Sequence, residues 1–247
     1  MQLHNVNIVL HQTNGCMQTS DKTRKFRHEL KYYMNYADYL TIRSRLMQIA
    51  AFDSHADEDG KYLIRSLYFE TPTDTALQEK LTGIMEREKF RIRFYNHDTS
   101  FIRLEKKMKI NTMTRKISCP VTRVEVERLL SGDIEWMKTS ERALLIELYA
   151  KMQYQQLRPK TIVDYTRECF IYAPGNVRVT LDTDIRSGLS ATEIFSDKPV
   201  VHTNSEPVII MEVKYDNFLP SIIKALVQLP NRRVTAFSKY AAARILG

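Results

Sequence analysis

Strand-like segments with a charged residue at every second position dominate this sequence. Arg91-Ile92-Arg93-Phe94-Tyr95 is the clearest, and Arg103-Leu104-Glu105-Lys106-Lys107 follows it closely. Successive side chains of a strand point to opposite faces. Arg91, Arg93 and Tyr95 therefore share one face, and Arg103, Glu105 and Lys107 share another. A single such strand is explained by a sheet with one solvated face. A whole set is more constraining, because the predicted helices also carry apolar faces that must cover something. If they cover the apolar sheet faces, the polar faces are either open or rolled inward. Eight strands can close into a barrel with a polar lumen. Unpaired cations inside it would be costly, so acidic residues on the same faces, such as Glu29, Glu105, Asp182 and Glu212, make sense as counter-charges.

The alternation recurs along the chain. Arg27, Glu29 and Lys31 share a face of a strand over Phe26 to Met34. Thr114, Lys116 and Ser118 share one after Ile110, and Val163, Tyr165, Arg167 and Cys169 share one further on. Arg178, Thr180, Asp182, Asp184 and Arg186 oppose Val177, Val179, Leu181 and Ile185; Glu212 and Lys214 oppose Met211 and Val213. Asn96-His97-Asp98, Ile110-Asn111-Thr112 and Ala173-Pro174-Gly175 are hairpin-sized breaks. Helices are expected at Ala37 to Ala51 (core residues Leu40, Ile42, Leu46 and Ile49), near Thr73 to Leu81, and at Val121 to Leu130. Others are expected at Glu141 to Gln156 with Ser140 as its cap, from Pro220 to Leu229, and from Lys239 to Leu246 with Ser238 as its cap. Ser187 to Ser205 reads as irregular. About eight mostly antiparallel strands give an α+β domain over residues 26–247, preceded by a flexible arm over 1–25.

The formal net charge of +8 over 247 residues admits a polyanionic partner but does not choose one. No apolar run approaches the ~20 residues a membrane helix needs, and no signal peptide is evident. Cys16, Cys119 and Cys169 are odd in number and lack metal-ligand spacing, which suits a reducing, cytoplasmic compartment. Nucleic acid is not the expected partner: that would need an exposed basic face, whereas these charges point inward.

Seven segments, in order, resemble the catalytic domain of the vacuolar transporter chaperone (VTC) family of polyphosphate polymerases, within the triphosphate tunnel metalloenzymes or CYTH-like proteins. They are Arg27 to Tyr32, Lys80-Leu81 with Phe90 to Tyr95, Leu104 to Lys107, Asp164 to Arg167, Val179 to Asp184, Ile210 to Lys214, and Phe237 to Tyr240. The resemblance runs from Phe26 to the C-terminus. It implies an antiparallel eight-stranded tunnel with a basic lumen, in which Lys31, Arg91, Arg93, Lys107, Arg167 and Lys214 act on the phosphates. Lys80, Lys116, Ser238 and Lys239 would be further substrate contacts. Lys80 stands where the eukaryotic enzymes tend to have arginine, and so lacks the bidentate fork. Those enzymes also carry a sensing domain and membrane helices that are not recognised here.

The implied reaction is transfer of the ATP γ-phosphoryl group to a polyphosphate chain, with ADP released. The polymer's terminal phosphate is the nucleophile, so no serine or cysteine nucleophile is required. The implied cofactor is a divalent cation, manganese or magnesium. Glu212 is its first candidate ligand, followed by Glu29, Glu105, Asp182 and Asp184, for each of which pairing with lumenal cations is an equal alternative. Two other functions remain open on the residues alone: a tunnel triphosphatase or polyphosphatase, and a polyphosphate- or nucleotide-binding module without catalysis.

Overall fold

The computed structural model describes residues 26–54, 56–196, 201–202, 208–229 and 232–245. The predicted arm over 1–25 and Cys16 lie outside them. Among the described residues there are ten strands: β1 (Arg27–Met34), β2 (Ala51–Phe52), β3 (Lys61–Glu70), β4 (Glu86–Tyr95), β5 (Asp98–Ile110), β6 (Met113–Val121), β7 (Arg158–Tyr172), β8 (Val177–Ser187), β9 (Val201–His202) and β10 (Ile209–Tyr215). Six helices accompany them: α1 (Tyr36–Leu46), α2 (Thr75–Leu81), α3 (Arg123–Leu130), α4 (Ala143–Tyr154), α5 (Ser221–Val227) and α6 (Lys239–Ile245). The strand order β7-β3-β4-β5-β6-β1-β10-β8, with β8 pairing back onto β7, closes an eight-membered antiparallel ring; β2 and β9 append to β7 and β8.

The ring is built from local signals. Asn96 and His97 both adopt positive φ, as a two-residue β4–β5 hairpin turn needs, and Asn111 does the same between β5 and β6. The weakest seam is β1–β6, where only Arg27↔Thr114 and His28↔Met113 pair. Beyond it the segment leading to α6 takes over the β1 edge, through a Tyr32↔Val234 bridge and a bond from Thr235 N to Lys31 O of 2.8 Å. In the β7–β8 turn, Gly175 has φ of 73°, and an added Cβ would lie 2.7 Å from the Phe218 carbonyl oxygen. Gly175→Ala is therefore expected to cost about 1–3 kcal/mol, read as a lower urea midpoint with an unchanged slope. An unchanged midpoint would show that the turn relaxes freely.

Helices cover the outside. Leu144, Leu145, Leu148 and Met152 of α4 pack with Phe90, Ile92 and Leu104. On another side, Tyr39, Ile42 and Leu46 of α1 pack with Phe170, Val179 and Leu181. The expected core role of Leu40 is not met: it is 48% exposed, because the buried stripe runs 39, 42, 46 and puts Tyr39 inside instead. Ser140 is not the cap of α4. It ends a short 3-10 turn, and α4 begins at Ala143. Thr122 caps α3 through a capping box with Glu125. A third apolar cluster lies within the ring, where Tyr240, Ala241 and Ala243 of α6 meet Tyr68, Val163, Tyr165 and Ile210. The region expected to be irregular after Ser187 includes the short strand β9.

Candidate phosphate tunnel

Cross-strand register sets the lumen. Lys31 faces Glu212, Arg91 faces Glu105 and Arg167 faces Asp182 across neighbouring strands. Around Glu212, the Lys239 ammonium lies at 2.9 Å, Lys214 at 3.1 Å, Lys31 at 3.5 Å and Arg167 at 3.9 Å. Glu29 binds Lys107 at 2.8 Å and Lys31 at 3.2 Å. The Arg167 guanidinium forks onto both Asp182 oxygens at 2.6 and 2.8 Å, and Lys239 also reaches Asp182. Lys31 further donates to the Phe237 carbonyl at 3.0 Å.

Farther along, Arg91 donates Nε and Nη2 to one oxygen of Glu105 at 2.8 and 2.6 Å, and Lys116 takes the other at 2.7 Å. The Arg91 Nη1 donates to the Tyr68 hydroxyl at 3.0 Å. Arg93 has neutral partners: Nε donates to Ser66 Oγ at 2.9 Å and Nη2 to the Tyr165 hydroxyl at 2.8 Å.

Burial opposes charge on all four carboxylates, but the cations prevail. Lys239, Lys31 and Lys214 hold Glu212 well below the usual carboxylate range; Lys107 and Lys31 do so for Glu29, and Arg91 and Arg93 for Glu105. Arg167 and Lys239 lower Asp182. The lysines divide. Burial is outweighed by Glu212 and Glu29 at Lys31, which is raised, and by Asp182 and Glu212 at Lys239. Burial lowers Lys214 and Lys116, and brings Lys107 down to about 8 despite Glu29.

The lumen has two compartments that meet at Glu29, Lys107 and Thr114. The wider, about 540 Å³, is lined by Arg91, Arg93, Arg167, Arg178 and Lys214, with Tyr62 and Tyr95. The narrower, about 90 Å³, lies toward α6 and α2 and includes Lys31, Lys80, Arg87, Lys89, Lys109 and Ser238. Nine of the ten cationic and hydroxyl candidates thus line the lumen, and Lys239 sits behind it, paired with Asp182 and Glu212. Lys80 is the outlying one, at the α2 end of the narrow compartment.

The candidate metal ligands are not brought together as one cluster. Among the described residues, no three His, Cys, Asp or Glu side chains are placed to share a metal ion. Lys31 lies between Glu29 and Glu212, Lys239 lies between Asp182 and Glu212, and the charged neighbours of Glu105 are Arg91, Arg93 and Lys116. Asp184 leaves the lumen altogether. Its positive φ of 53° accompanies a β7–β8 register shift that turns Ile185 inward, and Asp184 pairs with Arg186 at 3.3 Å. The donor set suits an ion that brings most of its ligands as phosphate and water oxygens and takes only one or two carboxylates, as magnesium commonly does.

Lys89 and Arg178 were missed from the sequence. Lys89 carried a usable signal, since it precedes Arg91 by two residues on the same strand face. Arg178 lies on the face of Asp182, and donates to Cys169 Sγ at 2.8 Å and to the Tyr62 hydroxyl at 3.2 Å.

Among solved structures, an adenylyl cyclase candidate from Hippeastrum, described as having a dominant triphosphatase activity, is similar with a TM-score of 0.52 and 12% identity, covering 88% of this chain and 94% of that one. An adenylate cyclase candidate from Bacillus halodurans is similar with a TM-score of 0.48 and 13% identity, covering 77% and 81%. At these identities the likeness to the Hippeastrum protein concerns the fold, a tunnel of antiparallel strands. No curated protein sequence matches. Among the described residues no helix is long and apolar enough to cross a membrane. The VTC domain family, by contrast, matches residues 26–246, nearly the whole sequence and every strand of the ring. The chain belongs to the VTC domain family.

Proposed function

We propose that the protein is a polyphosphate polymerase that transfers the γ-phosphoryl group of ATP to the end of a polyphosphate chain held in the tunnel. The observation that carries this reading is the convergence of fourteen lysines and arginines on the two compartments, where among the described residues Glu29, Glu88 and Asp216 line the space and Glu105, Asp182 and Glu212 pair with lining cations. The surplus positive charge is matched by a polyanion, and the closed ring favours an extended one. Membership of the VTC domain family supports the same substrate class.

A terminal phosphate oxygen of the chain would attack the γ-phosphorus as the bond to the β-phosphate oxygen breaks. ADP leaves and the chain grows by one phosphate. Such a transfer depends mainly on positioning and charge neutralisation. Arg91, Arg93 and Arg167 would hold non-bridging oxygens, since a guanidinium presents paired donors. Lys31, Lys107 and Lys214 would neutralise charge where the two compartments meet. Lys80, Lys116, Ser238 and Lys239 would hold the flanking phosphates. Glu212, with Glu29 or Asp182 beside it, would hold a manganese or magnesium ion, which would supply charge neutralisation to the phosphates. The carboxylates otherwise keep the cations in place until phosphate arrives.

Purified protein given ATP and manganese is expected to form phosphate polymer and ADP in proportion. ADP with only free orthophosphate would overturn the polymerase reading and favour the triphosphatase, whose residues would scarcely differ. Binding of polyphosphate with no turnover in either metal would reduce the protein to a binding module.

A further inference from the structure

Three lysines stand in one row across the sheet: Lys89 on β4 is opposite Lys107 on β5, which is opposite Lys116 on β6. Like charges directly opposite one another destabilise a sheet unless something compensates them. Lys107 has Glu29 at 2.8 Å, and Lys116 has Glu105 at 2.7 Å. Among the described residues no carboxylate pairs with Lys89. Its Nζ lies 3.5 Å from Ser238 Oγ, 5.3 Å from the Tyr68 ring centre and 5.8 Å from that of Tyr240.

The groups around it on every side explain this isolation. Arg91 follows on β4, Tyr68 faces it from β3, Lys107 from β5 and Lys31 from β1, while α6 supplies Ser238 and Tyr240. Lys80, Arg87 and Lys109 line the same compartment. The two acidic side chains bordering it are already engaged. Glu29 holds Lys107 and Lys31, and Glu88 holds Lys106 at 2.7 Å together with Lys151. The Tyr240 hydroxyl donates to Glu70, away from the ammonium.

We propose that Lys89 couples phosphate binding to proton uptake: it is a neutral amine in the free protein and becomes an ammonium when a phosphate enters the narrow compartment beside Ser238. The inference rests on the phosphate reading of the tunnel and specifies how one site in it works. The step makes no covalent bond; a proton from solvent adds to the amine, and the ammonium then pairs with a phosphate oxygen. Desolvation and like charge both disfavour an ammonium here, and an arriving anion reverses the second effect. Burial, with Lys107, Lys31 and Arg91, lowers Lys89 to about 7 against the opposing pull of Tyr68. Burial raises Tyr68, but Arg91, Lys89 and Arg93 bring it down to about 7 as well. Phosphate would raise both groups, so both would take up protons, and a variant of each is needed to separate them.

The sign follows from linkage. A ligand that prefers the ammonium binds best below pH 7 and loses affinity as the pH rises above the free-state value. The probe is tripolyphosphate without metal, titrated calorimetrically at pH 7.5 in two buffers of different ionisation enthalpy, which yields the protons exchanged. With Lys89 and Tyr68 each at about 7, roughly three quarters of a proton is expected from each, against about a quarter from Lys107 at about 8. The ligand's own titration is common to all variants, so differences between variants are the reading.

Lys89→Met is expected to lose the three-quarter share and to bind more weakly. Lys89→Arg is expected to lose the same share while retaining affinity that is flatter with pH between 7 and 8.5. Tyr68→Phe is expected to lose only the phenol's own share and to keep the share of Lys89. If both Lys89 variants exchange as many protons as the wild type, the proposal is overturned. It is equally overturned if Tyr68→Phe alone abolishes the uptake, since the proton would then belong to the phenol. Failure of tripolyphosphate to bind the wild type at any pH would remove the phosphate reading itself, and the inference with it.

Discussion

Glu212→Gln is expected to destabilise the free protein by about 3–5 kcal/mol, as breaking a buried ion pair commonly does. For a domain of this size that lowers the thermal midpoint by roughly 6–20 °C. Glu212 is 5% exposed and neutralises Lys31, Lys214, Lys239 and Arg167. Glutamine preserves volume and removes the charge, leaving those cations with Glu29 and Asp182 to share. Because the folded-state carboxyl is depressed, its contribution is fully present above the unfolded value and is lost as pH falls through the folded one. The gap between wild type and variant should therefore be full at pH 7 and narrow in strong acid. Metal-free tripolyphosphate, supplying the missing negative charge, should raise the variant's midpoint more than the wild type's. Manganese should reverse that ranking for the metal–phosphate complex if Glu212 also holds the ion. A variant that melts with the wild type would show that the carboxylate is not the structural counter-ion.

That carboxylate is legible in the sequence, because period-2 alternation assigns a face whatever the strand's partner is. The same logic located Lys31, Arg91, Arg93, Lys107 and Arg167, and the apolar backs of their strands led to a closed ring. What alternation cannot supply is a break in the period. Asp184 was misplaced because a single residue at positive φ shifts the β8 register, and nothing adjacent in the sequence marks it. Leu40 was misplaced because two apolar stripes one residue apart were possible on α1, and the partner surface decided for Tyr39. Partners are the other illegible quantity. The sequence puts Lys89, Lys107 and Lys116 on lumenal faces alike, but only the assembled ring shows which of them meet a carboxylate. Closure by β7–β8, with the seam at β1–β6 completed by the segment before α6, depends on contacts far apart along the chain.

Arg93→Ala is expected to weaken tripolyphosphate binding by about 10–100-fold and to lower turnover of the proposed transfer by about 10²–10³-fold. Arg93 is 4% exposed, yet its hydrogen-bond partners are the neutral hydroxyls of Ser66 and Tyr165. The β3–β4 register that sets Ser66 opposite Arg93 fixes the guanidinium in advance, so an incoming phosphate finds an ordered charge with no carboxylate to displace. Arg91 differs, because phosphate must compete there with Glu105. Removing Arg93 forfeits two hydrogen bonds from a charged donor, each about 1.5–3 kcal/mol, but it also removes a desolvated cation that has no carboxylate hydrogen-bonded to it, together with its repulsion from Arg91. Stability should therefore change far less than in Glu212→Gln. Arg93→Lys should recover little, since one ammonium cannot span both hydroxyls and still present a fork. Urea melts and initial rates of ADP release, measured together, separate the two variants. The carboxylate variant should be fragile but bind metal-free phosphate tightly, and the arginine variant should be sturdy but bind it poorly. If Arg93→Ala instead unfolds readily and binds phosphate normally, Arg93 is a structural pillar of β4, and the case for phosphate in the wider compartment falls to Arg91 and Arg167.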